Sequence, residues 1–201
     1  VLGDVDAEVI IAAFGFFCPA TVRAAWESVP SSAAAAATAY LHVVQDFGRR
    51  KLAGFAGADR LAALLEPVVR SAEVAGVPLF AGWRGLPLAG DGAARAMQLL
   101  HVVRELRGGL HVLAVRASGL SPLQAVLIAG SAVNDGPAQA RLFGWSEPFE
   151  AITEAQRRRW DAAEALTDTL IEPAFAVLDE AEGKELIDLV DAAQAIVLGS
   201  R

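Results

Sequence analysis

The chain has 201 residues, 54% of them hydrophobic, and a net charge of −7, a length that suits one domain or two small ones. About a fifth of it is alanine, which favours helix and close packing, and no apolar run reaches the roughly 20 residues of a membrane span, so the hydrophobicity reads as helical and not membranous. The acidic balance works against nonspecific binding to nucleic acid or to an anionic membrane, and the single cysteine, Cys18, excludes an intrachain disulfide and a multi-cysteine metal site.

In chain order, Asp4 or Asp6 can cap a first helix that runs through Ile10 to about Phe17. Pro19 suits the first turn of a second helix over residues 19–28, with Val22, Ala25 and Trp26 on one face. Val29-Pro30-Ser31-Ser32 breaks the pattern, and a third helix carries Tyr40, Val43, Val44 and Phe47. A fourth, over residues 59–75, spaces Leu61, Leu64, Leu65 and Val68 for one buried face. Residues 76–92 read as one long irregular segment, rich in Gly and Pro and containing Trp83. Loops of that length inside compact domains commonly carry function. The longest helical pattern follows at 93–118, then a helix opened by Ser121-Pro122 and a turn at Asn134-Asp135-Gly136.

Beyond that turn the chain reads helix, turn, helix. Gly136-Pro137 opens a short helix, and Gly144-Trp145-Ser146 leads into a second, with Ala140, Leu142, Phe143, Phe149 and Ile152 placed as a tri-helical core requires. The second helix, however, displays Glu147, Glu150 and Glu154 where a groove-reading helix needs cationic or amide side chains. Arg157-Arg158-Arg159 would form its basic C-terminal turn, either contacting phosphates or simply complementing the helix dipole. Two helices over 161–178 and 180–198 close the chain, the first kinked or interrupted at Pro173. Their apolar stripes, Ile171, Phe175, Leu178, Leu186, Leu189 and Val190, offer a surface for homodimerisation.

Strand patterns are scarce, so the expected fold is all-α: a multi-helix protein around a winged-helix-like, helix-turn-helix core. A wing would belong just after Arg159, where Trp160-Asp161-Ala162 instead opens another helix, so the wing is reduced, absent or lost from the chain. The expected division is an N-terminal helical part with its long loop, 1–90, and a part built from the long helix onward, 91–201.

Asp6 to Trp26, Pro78-Leu79-Phe80-Ala81, Arg104 to His111 and Gly144-Trp145-Ser146-Glu147 occur in that order. Together they resemble an actinobacterial helix-turn-helix or winged-helix-like family, distantly similar to the MarR regulators, over most of the chain from Val5 to about Val197. Members of that family start with a longer N-terminal segment and carry a wing, so the resemblance implies a shortened chain. It also implies a fold more readily than an activity. Two departures stand out. The family's Phe-His-Pro is Phe17-Cys18-Pro19 here, and its Arg-Glu-His-Arg-Gly-Asp-Gly-His is Arg104-Glu105-Leu106-Arg107-Gly108-Gly109-Leu110-His111. The polar pocket implied by the family pattern is thus partly stripped.

The candidate site lies on the long helix. His101, Glu105 and Gly108 share one face, and Arg104, Arg107 and His111 the neighbouring one. Turned inward, these faces would line a cavity for an anionic or polar small molecule, with Gly108 and Gly109 permitting close approach. The alternative is an exposed face of intrahelical ion pairs. Trp83 can act as a lid with Arg84 reaching the ligand, or simply pin a surface loop. Cys18, ahead of a helix N-terminus, is either a reactive thiol or a small buried hydrophobe. His101 and Glu105 have workable metal-ligand spacing, with Cys18 or His111 as a third, but nothing in the sequence makes them converge, and no metal or cofactor is expected. The first reading is a small-molecule-binding protein that uses the helix-turn-helix as a scaffold. Its alternatives are a ligand-responsive transcription regulator and an enzyme of specialised metabolism. A small molecule is the expected partner, DNA and membrane are not, and a lone thiol without a signal-peptide pattern fits a reducing cytoplasm.

Overall fold

The computed structural model describes residues 1–199. They form ten helices: α1 Ala7–Phe14, α2 Pro19–Ser28, α3 Ala33–Lys51, α4 Ala58–Ser71, α5 Pro78–Arg84, α6 Gly92–Ala117, α7 Pro122–Ala129, α8 Gly136–Leu142, α9 Glu154–Phe175 and α10 Glu180–Gly199. No strand occurs among the described residues, so the fold is all-α as the sequence patterns predict.

Most boundaries follow local chemistry. α1 ends at Phe14, short of the expected Phe17, because Gly15 turns the chain at φ 60°. Asp6 occupies the α1 N-cap position without a side-chain bond, whereas Asp4 accepts from the backbone N–H of Ala33 at 2.9 Å and so helps start α3 instead. Ser32, Asp91, Ser121, Asp135 and Thr153 each accept the capping bond of their helix, and Ser121/Gln124 and Thr153/Gln156 complete capping boxes.

α6 is the axis of the fold, and α3, α4, α5, α7 and α9 all pack on it. One seam is with α4, whose Leu61, Leu64, Leu65 and Val68 are almost wholly buried in the same core as Leu99, Val102 and Leu106 of α6. Each such leucine contributes about 1.5–3 kcal/mol by leaving water. The same core takes in Phe80 of α5, Ala174 of α9 and Leu186 and Ala193 of α10, so it draws on both sides of residue 90. Ile171, Phe175, Leu178, Leu189 and Val190 also pack against it. The stripes offered for pairing with a second copy are therefore occupied within the chain. A smaller core joins Ala114, Val115, Leu120, Ala125 and Ala163, with Phe16 and Trp160 against it.

Four expectations are corrected. Residues 76–92 are not irregular throughout, because Pro78 sits in the first turn of α5 and its fixed φ helps start that helix. The helix expected after Trp145 does not form, and residues 143–153 run without helix until the Thr153 capping box starts α9. Gly144 lies at φ 84° and Pro148 lacks the N–H a helix interior needs. α9 consequently runs unbroken through Arg157-Arg158-Arg159 and Trp160, which places the three arginines near its N-terminus and not in a C-terminal turn. Pro173 lies inside α9, two residues before its end. Of the five apolar residues assigned to the tri-helical core, Ala140 is buried, but Leu142 is 67% exposed.

α6 and α7 are joined by Ser118-Gly119-Leu120-Ser121 and diverge by 111°, within the range of helix-turn-helix units. Arg159 donates to the Gly119 carbonyl at 3.3 Å and braces this turn from α9. α7 and α8 in turn pack on one another. Among the described residues no single helix is long and apolar enough to cross a membrane.

Two adjacent glycines on α6 give a test of this packing. A Cβ on Gly109 would come within 2.7 Å of Val77, a buried β-branched side chain, whereas one on Gly108 meets nothing within 4 Å. Gly109→Ala should therefore destabilise by about 1–3 kcal/mol through overpacking. Gly108→Ala should stabilise by roughly 0.5–1 kcal/mol through helix propensity. Urea denaturation of both variants checks the opposite signs.

Candidate functional site

Gly108 meets no neighbour because it opens onto a half-open cavity of about 790 Å³ between α6 and the layer formed by α1, α2 and α3. Side-chain size creates the space. Ala33, Ala36, Ala37 and Tyr40 of α3 lie at i, i+3, i+4 and i+7 and face the cavity, opposite Gly108 and Gly109, while Ala25 of α2 adds a further small position. At the other end of α3 the two helices are in close contact, since a Cβ on Gly48 would meet the Ala93 carbonyl and Met97 at 2.6 Å. α3 and α6 thus touch at one end and leave room at the other.

The walls are mostly apolar and aromatic, with Phe14, Phe16, Phe17, Trp26, Tyr40, Trp83 and Phe143 among them. Pro78, Leu79 and Trp83 of α5 cover one side of the cavity, whereas Phe80 points away into the larger core, so a roof expected from residues 80–88 reduces to Trp83. Trp26 donates its indole N–H to the Val5 carbonyl at 3.0 Å, tying the start of the chain to α2.

One polar cluster interrupts this lining: His101, Arg104 and Glu105 of α6. His101 is enclosed by Trp83, edge-on with centroids 4.9 Å apart, and by Tyr40 at 5.5 Å. Burial holds its imidazole well below the ordinary histidine value, at about 4, with the Arg104 charge acting in the same direction. It is therefore neutral at pH 7, and its Nδ1 at 3.9 Å from Glu105 Oε1 is a near neighbour and not an ion pair. Its Nε2 is buried and has no hydrogen-bond partner. Glu105 is also largely enclosed, which raises its pKa against the opposing effect of Arg104. Arg104 donates to Glu105 Oε1 at 2.7 Å, but its own side chain is 77% exposed.

Of the eight residues singled out in the sequence, the structure brings Trp83, His101, Arg104 and Glu105 to this cavity. The other four lie elsewhere. Arg107 pairs with Glu164 of α9 at 2.9 Å. His111 is buried against α9, with Nδ1 2.9 Å from Thr167 Oγ1 and Nε2 3.4 Å from Glu164 Oε1, between the rings of Phe16 and Trp160. The Thr167 hydroxyl is committed to the Ala163 carbonyl at 2.7 Å, so Nδ1 of His111 is the donor in that contact. Burial lowers the His111 pKa, against the pull of Glu164 and with the push of Arg107. Arg84 donates to the Ala72 carbonyl at 2.9 Å and lies over the Phe80 ring, tying α5 to α4. Cys18 is half-buried at the N-cap position of α2, and its backbone N–H donates to the Phe143 carbonyl at 2.9 Å. No metal-binding group of three acidic, His or Cys residues exists among the described residues.

The alanine stripe and the aromatic walls were missed by sequence reasoning. The spacing of Ala33, Ala36, Ala37 and Tyr40 was a readable signal, because three small residues on one helical face predict either close helix contact or a void.

The titration of His101 checks the cluster. A folded-state pKa of about 4 against 6.5 when unfolded means the folded chain favours neutral imidazole. Its contribution is full above pH 6.5 and is lost as pH falls towards 4. Glu105 acts oppositely, its folded form preferring the proton, so part of that loss is offset. The imidazole NMR signals of His101 should stay fixed from pH 7 to 5, and His101→Phe should reduce the fall in stability over that interval. Titration near pH 6.5 would contradict the burial.

A family model described as a helix-turn-helix family matches residues 1–201, and the chain belongs to that family. No curated protein and no solved structure matches it.

Proposed function

We propose that this member of the helix-turn-helix family is a small-molecule-binding protein whose ligand occupies the cavity between α6 and α1–α3. The observation that carries this reading is the cavity itself. Its volume of about 790 Å³ falls in the roughly 300–1,000 Å³ range of small-molecule sites, which are typically apolar with a few convergent polar groups. A void lined by seven aromatic residues is a large area of apolar surface left without partners, and a ligand with an apolar body removes that cost. The test uses a neutral apolar fluorophore, N-phenyl-1-naphthylamine. It should bind saturably with a blue-shifted emission, and Gly108→Phe, whose ring grows into the open space beside α6, should abolish binding without lowering the melting temperature. Equal binding by wild type and variant would place the dye elsewhere and sink the reading.

A second reading, a ligand-responsive transcription regulator, rests on one specific set of contacts and accords with the resemblance to the MarR regulators. Leu142 at the end of α8 and Phe143 just after it belong to the cavity wall. Phe17 stacks on Phe143 with centroids 4.2 Å apart, and the Trp145 indole N–H donates to the Phe16 carbonyl at 2.9 Å. A ligand touching Phe17 therefore touches the segment that ends α8.

The charge pattern favours the scaffold reading over the regulator. Arg141 is the single basic residue of α8 and is paired with Glu147, and Asp135 caps the helix. Sequence-independent DNA affinity comes from clustered cations that release counterions. Fluorescence anisotropy with a duplex near physiological salt should show binding no tighter than the roughly 10⁻⁴–10⁻⁶ M of nonspecific contacts. Tight, salt-sensitive binding would promote the regulator and remove the scaffold.

A further inference from the structure

A site for an anionic molecule, one of the two classes expected from the sequence beside a polar one, would need the arginines and histidines to converge. The structure turns Arg84 and Arg107 to other partners and leaves His101 neutral. What remains at the cavity is one enclosed carboxyl, Glu105, and one arginine whose side chain is mostly in solvent, Arg104.

The carboxyl is short of donors. A carboxylate offers about four acceptor positions, and Glu105 accepts one hydrogen bond, from Arg104 to Oε1. The neighbouring imidazole does not compensate, because its Nδ1 is 3.9 Å away and uncharged. The aromatic rings of Tyr40 and Trp83 line the same cavity and lie against His101, one turn before Glu105, and aromatic rings attract cations. The overall charge of −7 acts in the same sense at long range.

We propose that the cavity selects organic cations: amine-bearing molecules with an aromatic or aliphatic body, whose ammonium group pairs with Glu105 beside Tyr40 and Trp83. This rests on the cavity being a ligand site. In the complex the ammonium supplies the donors that Glu105 lacks, and it does so out of bulk water, where a charge-assisted hydrogen bond is strong. Arg104 is the competing cation. Because it reaches Glu105 from the solvent side, an incoming ammonium displaces or shares it at low cost.

The experiment uses three dansyl sulfonamides on the full chain, with tails of equal length ending in an ammonium, a methyl or a carboxylate. Fluorescence titration should rank them ammonium, methyl, carboxylate, with about tenfold between the first two, as one desolvated cation–π or ion-pair contact provides. Glu105→Gln should bring the ammonium probe to the level of the methyl probe and leave the methyl probe unchanged. Arg104→Ala, at an exposed position, should tighten the ammonium probe further, a gain that damage to the fold would not give. If the methyl probe binds and is blocked by Gly108→Phe but the ammonium probe is no tighter, or if Glu105→Gln keeps the preference, the cation inference is overturned and the cavity reading stands. If no probe binds, or if Gly108→Phe blocks none of them, both are overturned.

Discussion

The contact between Gly109 of α6 and Val77 at the head of α5 determines how the rest of the site is arranged. A Cβ at position 109 would stand 2.7 Å from Val77, so only glycine lets the segment before α5 lie directly on the central helix. That approach places Pro78, Leu79 and Trp83 over one side of α6 as a roof, while the opposite face of α5 sends Phe80 into the core beneath α4. The neighbouring glycine performs the complementary task, since position 108 faces empty space. Adjacent glycines on one helix thus hold a close contact on one side and a void on the other, and the roughly 0.5–1 kcal/mol that each costs in helix propensity is offset by the leucine seam with α4.

The same helix carries two polar groupings that the environment separates into different roles. Arg107 meets Glu164 of α9 and His111 donates from Nδ1 to Thr167, so both side chains find a complementary partner on that helix. Such a grouping fixes the angle at which α9 crosses α6. It also links to the N-terminal layer through Phe16, which packs on His111. His101 and Glu105 lack that complement. One has a buried nitrogen with no partner, and the other is an enclosed carboxyl answered only by an exposed arginine. Polar groups that are costly to bury unpaired thus stand at the edge of a void.

How far the sequence could be read depended on which physical signal each feature carried. Capping residues, Pro at first helical positions and the 3.6-residue apolar period were sufficient to place α2, α3, α6 and α7 closely, because these signals are local. The helix expected after Trp145 went wrong for a local reason given too little weight: Gly144 and Pro148 both oppose helix, and Thr153 with Gln156 is a better start. The site was half legible. Periodicity correctly grouped His101, Glu105 and Gly108 on one face. It also put His111 on nearly the same side as Arg104, but His111 lies two turns further on, where α9 closes over it. Angle around a helix is encoded in spacing. Which neighbour covers each level of that helix is a tertiary fact, and no pattern within α6 contains it.

The helix-turn-helix segment and the cavity share a boundary, and that boundary bears on how the fold has been used. Phe16 and Phe17, in the turn between α1 and α2, have the cavity on one side and the residues that end α8 on the other. A Cβ on Gly144 would collide with Thr21 of α2 at 2.0 Å, so the segment after α8 is pressed directly on the N-terminal layer. The joint contacts α8, a helix of seven residues with one arginine already paired and an aspartate at its N-cap. The contacts hold the segment that ends α8 against the turn between α1 and α2, so that Leu142 and Phe143 form one edge of the cavity.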